Sequence, residues 1–168
     1  MTLTRLHPDG VTRCSWVNDD EIYIRYHDQE WGFPVHSDTR LFEKICLEGF
    51  QAGLSWLTIL KRREGFREAF LNFKIADVAK MTEQDVERLL TNEGIIRHRG
   101  KIQAVINNAR IIQEQKLSLE ELIQKHSPTE ERRNLSVSPE STALSKELRK
   151  LGFNFVGPTT MHAMMQAI

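Results

Sequence analysis

The chain has 168 residues and 40% apolar content, enough for one domain, 1–168, with a core of its own. Lysine plus arginine and aspartate plus glutamate number 23 each, so bulk charge gives no footprint for a polyanion and any nucleic-acid surface must come from local clustering. Two cysteines exclude a disulfide framework, and neither a leader-like apolar run after the first basic residues nor a stretch of membrane-spanning length occurs; a soluble, cytoplasmic protein with no membrane partner is expected.

Strand signals are almost absent and helical periodicity recurs, which predicts an all-α orthogonal bundle. Asp38 can cap a helix carrying Leu41, Phe42 and Ile45 on one face. A second helix is predicted over about Leu54 to Arg62, buried through Leu57 and Leu60. Phe66, Phe70 and Phe73 fall at helical spacings and are assigned to the core. Asp77 and Thr82 can each start a short helix, the latter with a capping box in which Asp85 replaces glutamate. Gly94 should end that helix. A long one follows from about His98 to Gln113, with Ile102, Val105, Ile106 and Ala109 inward. Residues 126–141 read as a variable surface loop. Ser141 or Thr142 opens the next helix, Gly152 stops it, and Pro158 suits the first turn of the last.

Tyr23, Tyr26, Trp31 and Trp56 crowd into residues 23–63, and Glu48 sits alone among apolar neighbours in Ile-Cys-Leu-Glu-Gly-Phe. An aromatic cluster around one buried acid can form a slot for a flat cationic ring, such as a nucleobase. Taken alone, Glu48 also reads as a helix-end carboxylate in solvent or in a salt bridge. Residues 82–110 form a possible helix-hairpin-helix. Its connection carries Gly94 and the cations Arg97, His98, Arg99 and Lys101, suited to a phosphate at a helix N-terminus or simply to solvent. Cys14 and His27, thirteen residues apart, match no strong zinc spacing and read individually as structural. His7, His36 and His126 lie in polar stretches and are assigned to solvent.

Four blocks together resemble the type I 3-methyladenine DNA glycosylases. They are Tyr26-His-Asp-Gln-Glu-Trp-Gly32, Leu47-Glu-Gly-Phe-Gln-Ala-Gly-Leu-Ser-Trp56, Gly94-Ile-Ile-Arg-His-Arg-Gly-Lys-Ile102 and Gly152-Phe-Asn-Phe-Val-Gly-Pro158. The family-like core spans 13–113 and 141–167. The resemblance implies a helix-hairpin-helix glycosylase that removes 3-methyladenine from alkylated double-stranded DNA as a monomer. It also implies binding of free 3-methyladenine. Residue by residue, it implies base contacts from Tyr26, Glu48 and Trp56, of which Glu48 and Tyr26 would be catalytic, with Trp16 and Tyr23 lining the pocket. Lys101 would then face phosphate rather than form a Schiff base. No aspartate follows Asp85, which agrees with an enzyme that relies on the lability of its substrate.

The resemblance further implies a structural zinc whose N-terminal ligands match Cys14 and His27. The family's C-terminal ligand pair falls beyond Ile168, so a half site, weak zinc and a mobile first fifteen residues are expected. A DNA-binding module without turnover is the competing reading. Retention of Tyr26, Glu48 and Trp56 together speaks against it.

Overall fold

In the computed structural model, which describes residues 3–128 and 135–168, the chain opens with a hairpin rather than a mobile leader. β1 (Thr4–Leu6) pairs antiparallel with β2 (Thr12–Cys14), Arg5 opposite Arg13. The sequence hid these strands because each is three residues long and largely polar. Charge ties them down. Arg13 is 5% exposed, and its guanidinium donates to both Asp9 and Asp28. His7, expected in solvent, is buried with Nδ1 3.0 Å from Asp19 Oδ1.

The remaining regular structure among the described residues is helical. α1 (Glu21–Gln29) is capped by Asp20. α2 (Asp38–Gln51) is capped by Ser37, not Asp38; Asp38 is already helical, and its carboxylate accepts from the Glu120 N–H at 3.0 Å. α3 (Trp56–Lys61) begins after Ser55, whose hydroxyl accepts from Thr58 N–H, two residues later than expected. α4 (Arg63–Ala69) follows, then a 3-10 turn at Leu71–Phe73. α5 (Ile75–Val78) is led by Lys74 rather than Asp77, and α6 (Glu83–Leu89) by the expected Thr82/Asp85 box. α6 ends five residues before Gly94.

α7 (Arg99–Gln115) matches the long predicted helix. α8 (Leu119–Lys125), capped by Ser118, was not anticipated. Of the expected loop 126–141, residues 129–134 lie outside the described residues. Its end is already helical, since α9 (Pro139–Leu151) starts from a Ser138/Ser141 box. Gly152 stops α9 in a left-handed conformation, φ 104. α10 (Pro158–Ala167) carries its proline in the first turn.

The core joins α2, α4 and α7. Phe42, Phe50, Phe66, Phe70 and Phe73 are all essentially fully buried, with the Phe50 and Phe66 ring centroids 4.6 Å apart. Ile102, Val105 and Ala109 meet them from α7. Each such ring removes on the order of 1.5–3 kcal/mol of apolar surface energy from water. In α3, Ile59 and Leu60 are buried, while Leu57 is only partly so. α4 lies directly on the α6–α7 connection. A Cβ at Gly65 would fall 2.3 Å from the Gly94 carbonyl oxygen, so only glycine lets those backbones touch.

Candidate functional site

Tyr23, Tyr26 and His27 are three and four residues apart on α1 and therefore share one face. That face meets the C-terminal end of α2, the start of α3 and the segment just before α1. Tyr26 is 3% exposed, and its ring centroid lies 5.6 Å from Trp56 and 6.4 Å from Trp16. Trp16 also meets Tyr23 at 5.2 Å and Trp31 at 5.4 Å. The structure thus brings Trp16, Tyr23, Tyr26 and Trp56 into one continuous cluster. Trp31 belongs to it too, stacked on His27 with ring planes 10° apart.

Glu48 occupies the last turn of α2 and is 6% exposed. It makes no hydrogen bond or ion pair with a described residue. Burial pushes its carboxyl up to about 7, against the lowering pull of Lys44. Trp56 Nε1 is likewise buried without a partner. A strong acceptor and an indole donor are therefore both left unpaired around the aromatic cluster. For the fully enclosed indole N–H the missing partner costs roughly 1–3 kcal/mol, a cost a polar ligand removes. Burial, and then the charge of Glu48, raise Tyr23 and Tyr26, so both phenols stay protonated and able to donate.

Sequence reasoning missed Lys44, although its place one helical turn before Glu48 was available as a signal. Its ammonium donates to Tyr26 Oη at 3.3 Å and lies 4.9 Å from the Tyr26 ring centroid. Beside it Arg63 clamps Glu30 with two hydrogen bonds, 2.7 and 2.9 Å. A cavity of about 390 Å³ opens on this flank, walled by Glu30, Phe33, Lys44, Trp56, Arg63 and Arg67. It shares Trp56 and Lys44 with the aromatic cluster but is not lined by Glu48, Tyr23 or Trp16.

The connection between α6 and α7 places the predicted basic residues unequally. Asn92 accepts from the Gly94 N–H at 2.8 Å and shapes the turn. His98 caps α7, its Nδ1 accepting from the Lys101 N–H at 3.1 Å. Arg97 is exposed and forms no ion pair with a described residue. Arg99 is exposed too, but Glu83 and Glu87 hold its guanidinium. Lys101 corrects the expectation of a phosphate-facing charge. It is 7% exposed, and its ammonium donates to the Phe50 and Ala52 carbonyl oxygens at 2.9 and 2.7 Å. A helix C-terminus leaves carbonyls without intrahelical donors, and Lys101 supplies them for α2.

Cys14 and His27 do come together. The Cys14 N–H donates to His27 Nε2 at 3.4 Å, and His27 Nδ1 pairs with Asp28 Oδ1 at 2.9 Å. A carboxylate behind a histidine is the usual support for a metal ligand. Among the described residues, however, no group of three or more His, Cys, Asp or Glu side chains could hold a metal. Two donors do not make a closed structural zinc site, which takes four.

Comparison with known proteins agrees with this geometry. The methyladenine glycosylase family model matches residues 16–168. DNA-3-methyladenine glycosylase 1 of Escherichia coli (strain K12) is 50% identical over 168 residues, covering 94% of this chain and 90% of that protein. The crystal structure of a 3-methyladenine DNA glycosylase I superposes with a TM-score of 0.87 at 47% identity, covering 92% of this chain and 91% of the other. A structure of the Staphylococcus aureus 3-methyladenine DNA glycosylase I, solved to explain 3-methyladenine recognition, superposes with a TM-score of 0.84 at 36% identity, over 92% and 88% of the two chains. With the hairpin, the aromatic cluster and its lone acid in place, the chain belongs to the methyladenine glycosylase family, as a 3-methyladenine DNA glycosylase of type I.

Proposed function

We propose that this protein is a monofunctional DNA repair glycosylase that hydrolyses the N-glycosidic bond of 3-methyladenine in alkylated double-stranded DNA. It releases the free base and leaves an abasic site. The observation that carries this reading is Glu48, a buried carboxylate without a hydrogen-bond partner among the described residues, whose charge acts on Tyr23 and Tyr26 of the aromatic cluster.

Methylation at N3 makes the purine cationic and already a good leaving group. When the N9–C1′ bond breaks, its electron pair neutralises the purine, and water adds to C1′ with loss of a proton. The enzyme must take the nucleotide out of the stack and hold it. Trp56 would stack on the cationic ring with Trp16 and Tyr23 as walls, each desolvated cation–π contact contributing about 1–2 kcal/mol. Glu48 would accept from the exocyclic amine, and Tyr26 would donate a further hydrogen bond. Neutral adenine gains little from this charge.

Arg97 and the N-terminus of α7 would hold a phosphate, with Arg99 engaging DNA only by releasing its acidic partners. The protein would act as a monomer in the cytoplasm; no helix among the described residues is long and apolar enough to cross a membrane. Zinc would be held at most weakly by Cys14 and His27.

The test is incubation with methylated duplex DNA followed by chromatography of the released bases. Free 3-methyladenine with intact strands is expected. DNA binding without base release would establish the competing reading, a module without turnover.

A further inference from the structure

Lys44 has no role in the chemistry outlined above, yet the fold isolates it with care. It stands one helical turn before Glu48 on the same face of α2 and is partly buried. Apart from Glu48, the acid side chains near it are committed elsewhere. Glu30 is clamped by Arg63, and Glu43, 5% exposed, is shared by Arg40 at 2.9 Å and Arg67 at 2.8 Å. Lys44 is left with one hydrogen-bond partner, the Tyr26 hydroxyl, and with the charge of Glu48.

An ammonium only donates. The 3.3 Å contact therefore makes Tyr26 Oη an acceptor. Because Tyr26 stays protonated, its single O–H must point away from Lys44. The direction of the phenol proton is thereby settled by one side chain, which also lowers the carboxyl beside it.

We propose that Lys44 is a positioning residue of the base pocket, which turns the Tyr26 hydroxyl into a donor toward an acceptor nitrogen of the bound purine and serves as the countercharge of Glu48. This rests on the glycosylase reading above. The ionisable groups around Glu48 are Lys44 on its own helix and Tyr23 and Tyr26 on α1, with Glu30 and Arg63 acting on Tyr26 from behind. Lys44 is the cation that lowers Glu48. Its removal thus leaves a carboxylate that ionises only at higher pH. The cavity that Lys44 shares with Trp56 leaves room for a longer cation at the same place.

The experiment compares wild type with Lys44→Met, which keeps the apolar stem, and Lys44→Arg, which keeps the charge. Single-turnover base release from methylated duplex is followed from pH 5.5 to 9 on the scale of roughly half-unit steps, since one pKa unit is a tenfold change in the ionised fraction below the pKa. Calorimetry with free 3-methyladenine is run over the same range. For Lys44→Met, the acid limb of both profiles should move up by about one unit, so that release falls about fivefold at neutrality and about tenfold well below it. Binding to undamaged DNA should be preserved, as should the melting temperature at about pH 5.5, where Glu48 is protonated in both proteins, and Lys44→Arg should restore the limb. An unmoved limb, or a uniform loss at every pH together with a lower melting temperature, would overturn the proposal. Failure of the wild type to release base would refute the glycosylase reading instead, and the free-base calorimetry would then decide the role of Lys44 by itself.

Discussion

Lys101 Nζ donates to the carbonyl oxygen of Ala52 at 2.7 Å, at the point where α2 ends. This contact couples the hairpin to the pocket. Lys101 lies in the first turn of α7, and Ala52 follows by four residues the glutamate that α2 presents to the aromatic cluster. Lys101→Met should therefore act on the pocket rather than on the DNA surface. Losing the donor to the buried Phe50 carbonyl and the part-buried Ala52 carbonyl should destabilise the fold by about 1–3 kcal/mol. Affinity for free 3-methyladenine should fall as the end of α2 loosens, while the salt dependence of DNA binding stays as in wild type. Chemical denaturation and binding isotherms at two salt concentrations check this; a lowered salt slope would return Lys101 to the DNA face.

Glu48→Gln should weaken the protein's function and strengthen its fold. Loss of one charge-assisted hydrogen bond should reduce base affinity by about 1.5–3 kcal/mol. The stability effect has a definite sign. An acid whose folded pKa, about 7, lies above its ordinary 4.5 binds its proton more tightly when folded. That contribution is complete below the ordinary value and lost as pH rises through the folded one, on the order of 3 kcal/mol in all. The variant has no proton to lose. Its stability relative to wild type should rise between pH 4.5 and 8, read by denaturant melts at both ends. A constant difference would mean that Glu48 ionises freely in the folded protein.

Much of this site could be read in the sequence, because aromatic residues and a lone acid in an apolar run are local signals. Tyr26, Glu48 and Trp56 lie on three different helices, and it is the resemblance of their blocks to the glycosylase family, not spacing, that groups them. The phenylalanine core was legible from helical spacing. What escaped depended on partners distant in sequence. Lys101 looked like a surface charge in a basic turn until Phe50 and Ala52, about fifty residues away, arrived beside it. Lys44 gained meaning only once arginines from α4 had taken up the acids around it. β1 and β2 escaped because Arg13, Asp9 and Asp28 hold them with charge, where periodicity is silent. α8 is different, since Ser118 and Glu121 carry a local capping pattern that marks its start in the sequence.

Trp56→Ala should abolish most of the fluorescence quenching by added 3-methyladenine and weaken its binding. Trp56 also packs against Tyr26, with ring centroids 5.6 Å apart, so a loss of stability is expected as well. Trp56→Phe separates the two effects. It keeps the packing and a π face but removes the unpaired Nε1 donor, and it should retain the melting temperature with an intermediate affinity. Wild-type affinity in the alanine variant would reduce Trp56 to a packing residue.

Arg97→Ala should weaken DNA binding and lower the salt slope by about 0.9, the value for one phosphate contact on a duplex. Arg99→Ala should do less, because Glu83 and Glu87 already hold that guanidinium and DNA must displace them. Neither variant should change the affinity for free base. Equal slopes for Arg97→Ala and wild type would place the duplex on another face.

Zinc should bind weakly, and the hairpin should not depend on it. Cys14 and His27 supply two donors, and Asp28 behind His27 is already engaged by Arg13. The other cysteine, Cys46, lies buried in the core, where burial raises its thiol well above the ordinary value, so it has no thiolate to offer. His162 is buried against the Ser138 hydroxyl at 3.3 Å. Among the described residues no third donor joins Cys14 and His27, so water would complete a zinc shell built on them, and affinity should fall well below that of a four-ligand site. What holds β1 and β2 instead is the Arg13 guanidinium between Asp9 and Asp28. Arg13→Ala should therefore release the hairpin to proteolysis, while a chelator should leave wild type unchanged. Elemental analysis of protein purified without added zinc decides the first point and limited proteolysis the second. One tightly held zinc per chain, or cleavage after chelation, would transfer the clamp from Arg13 to the metal.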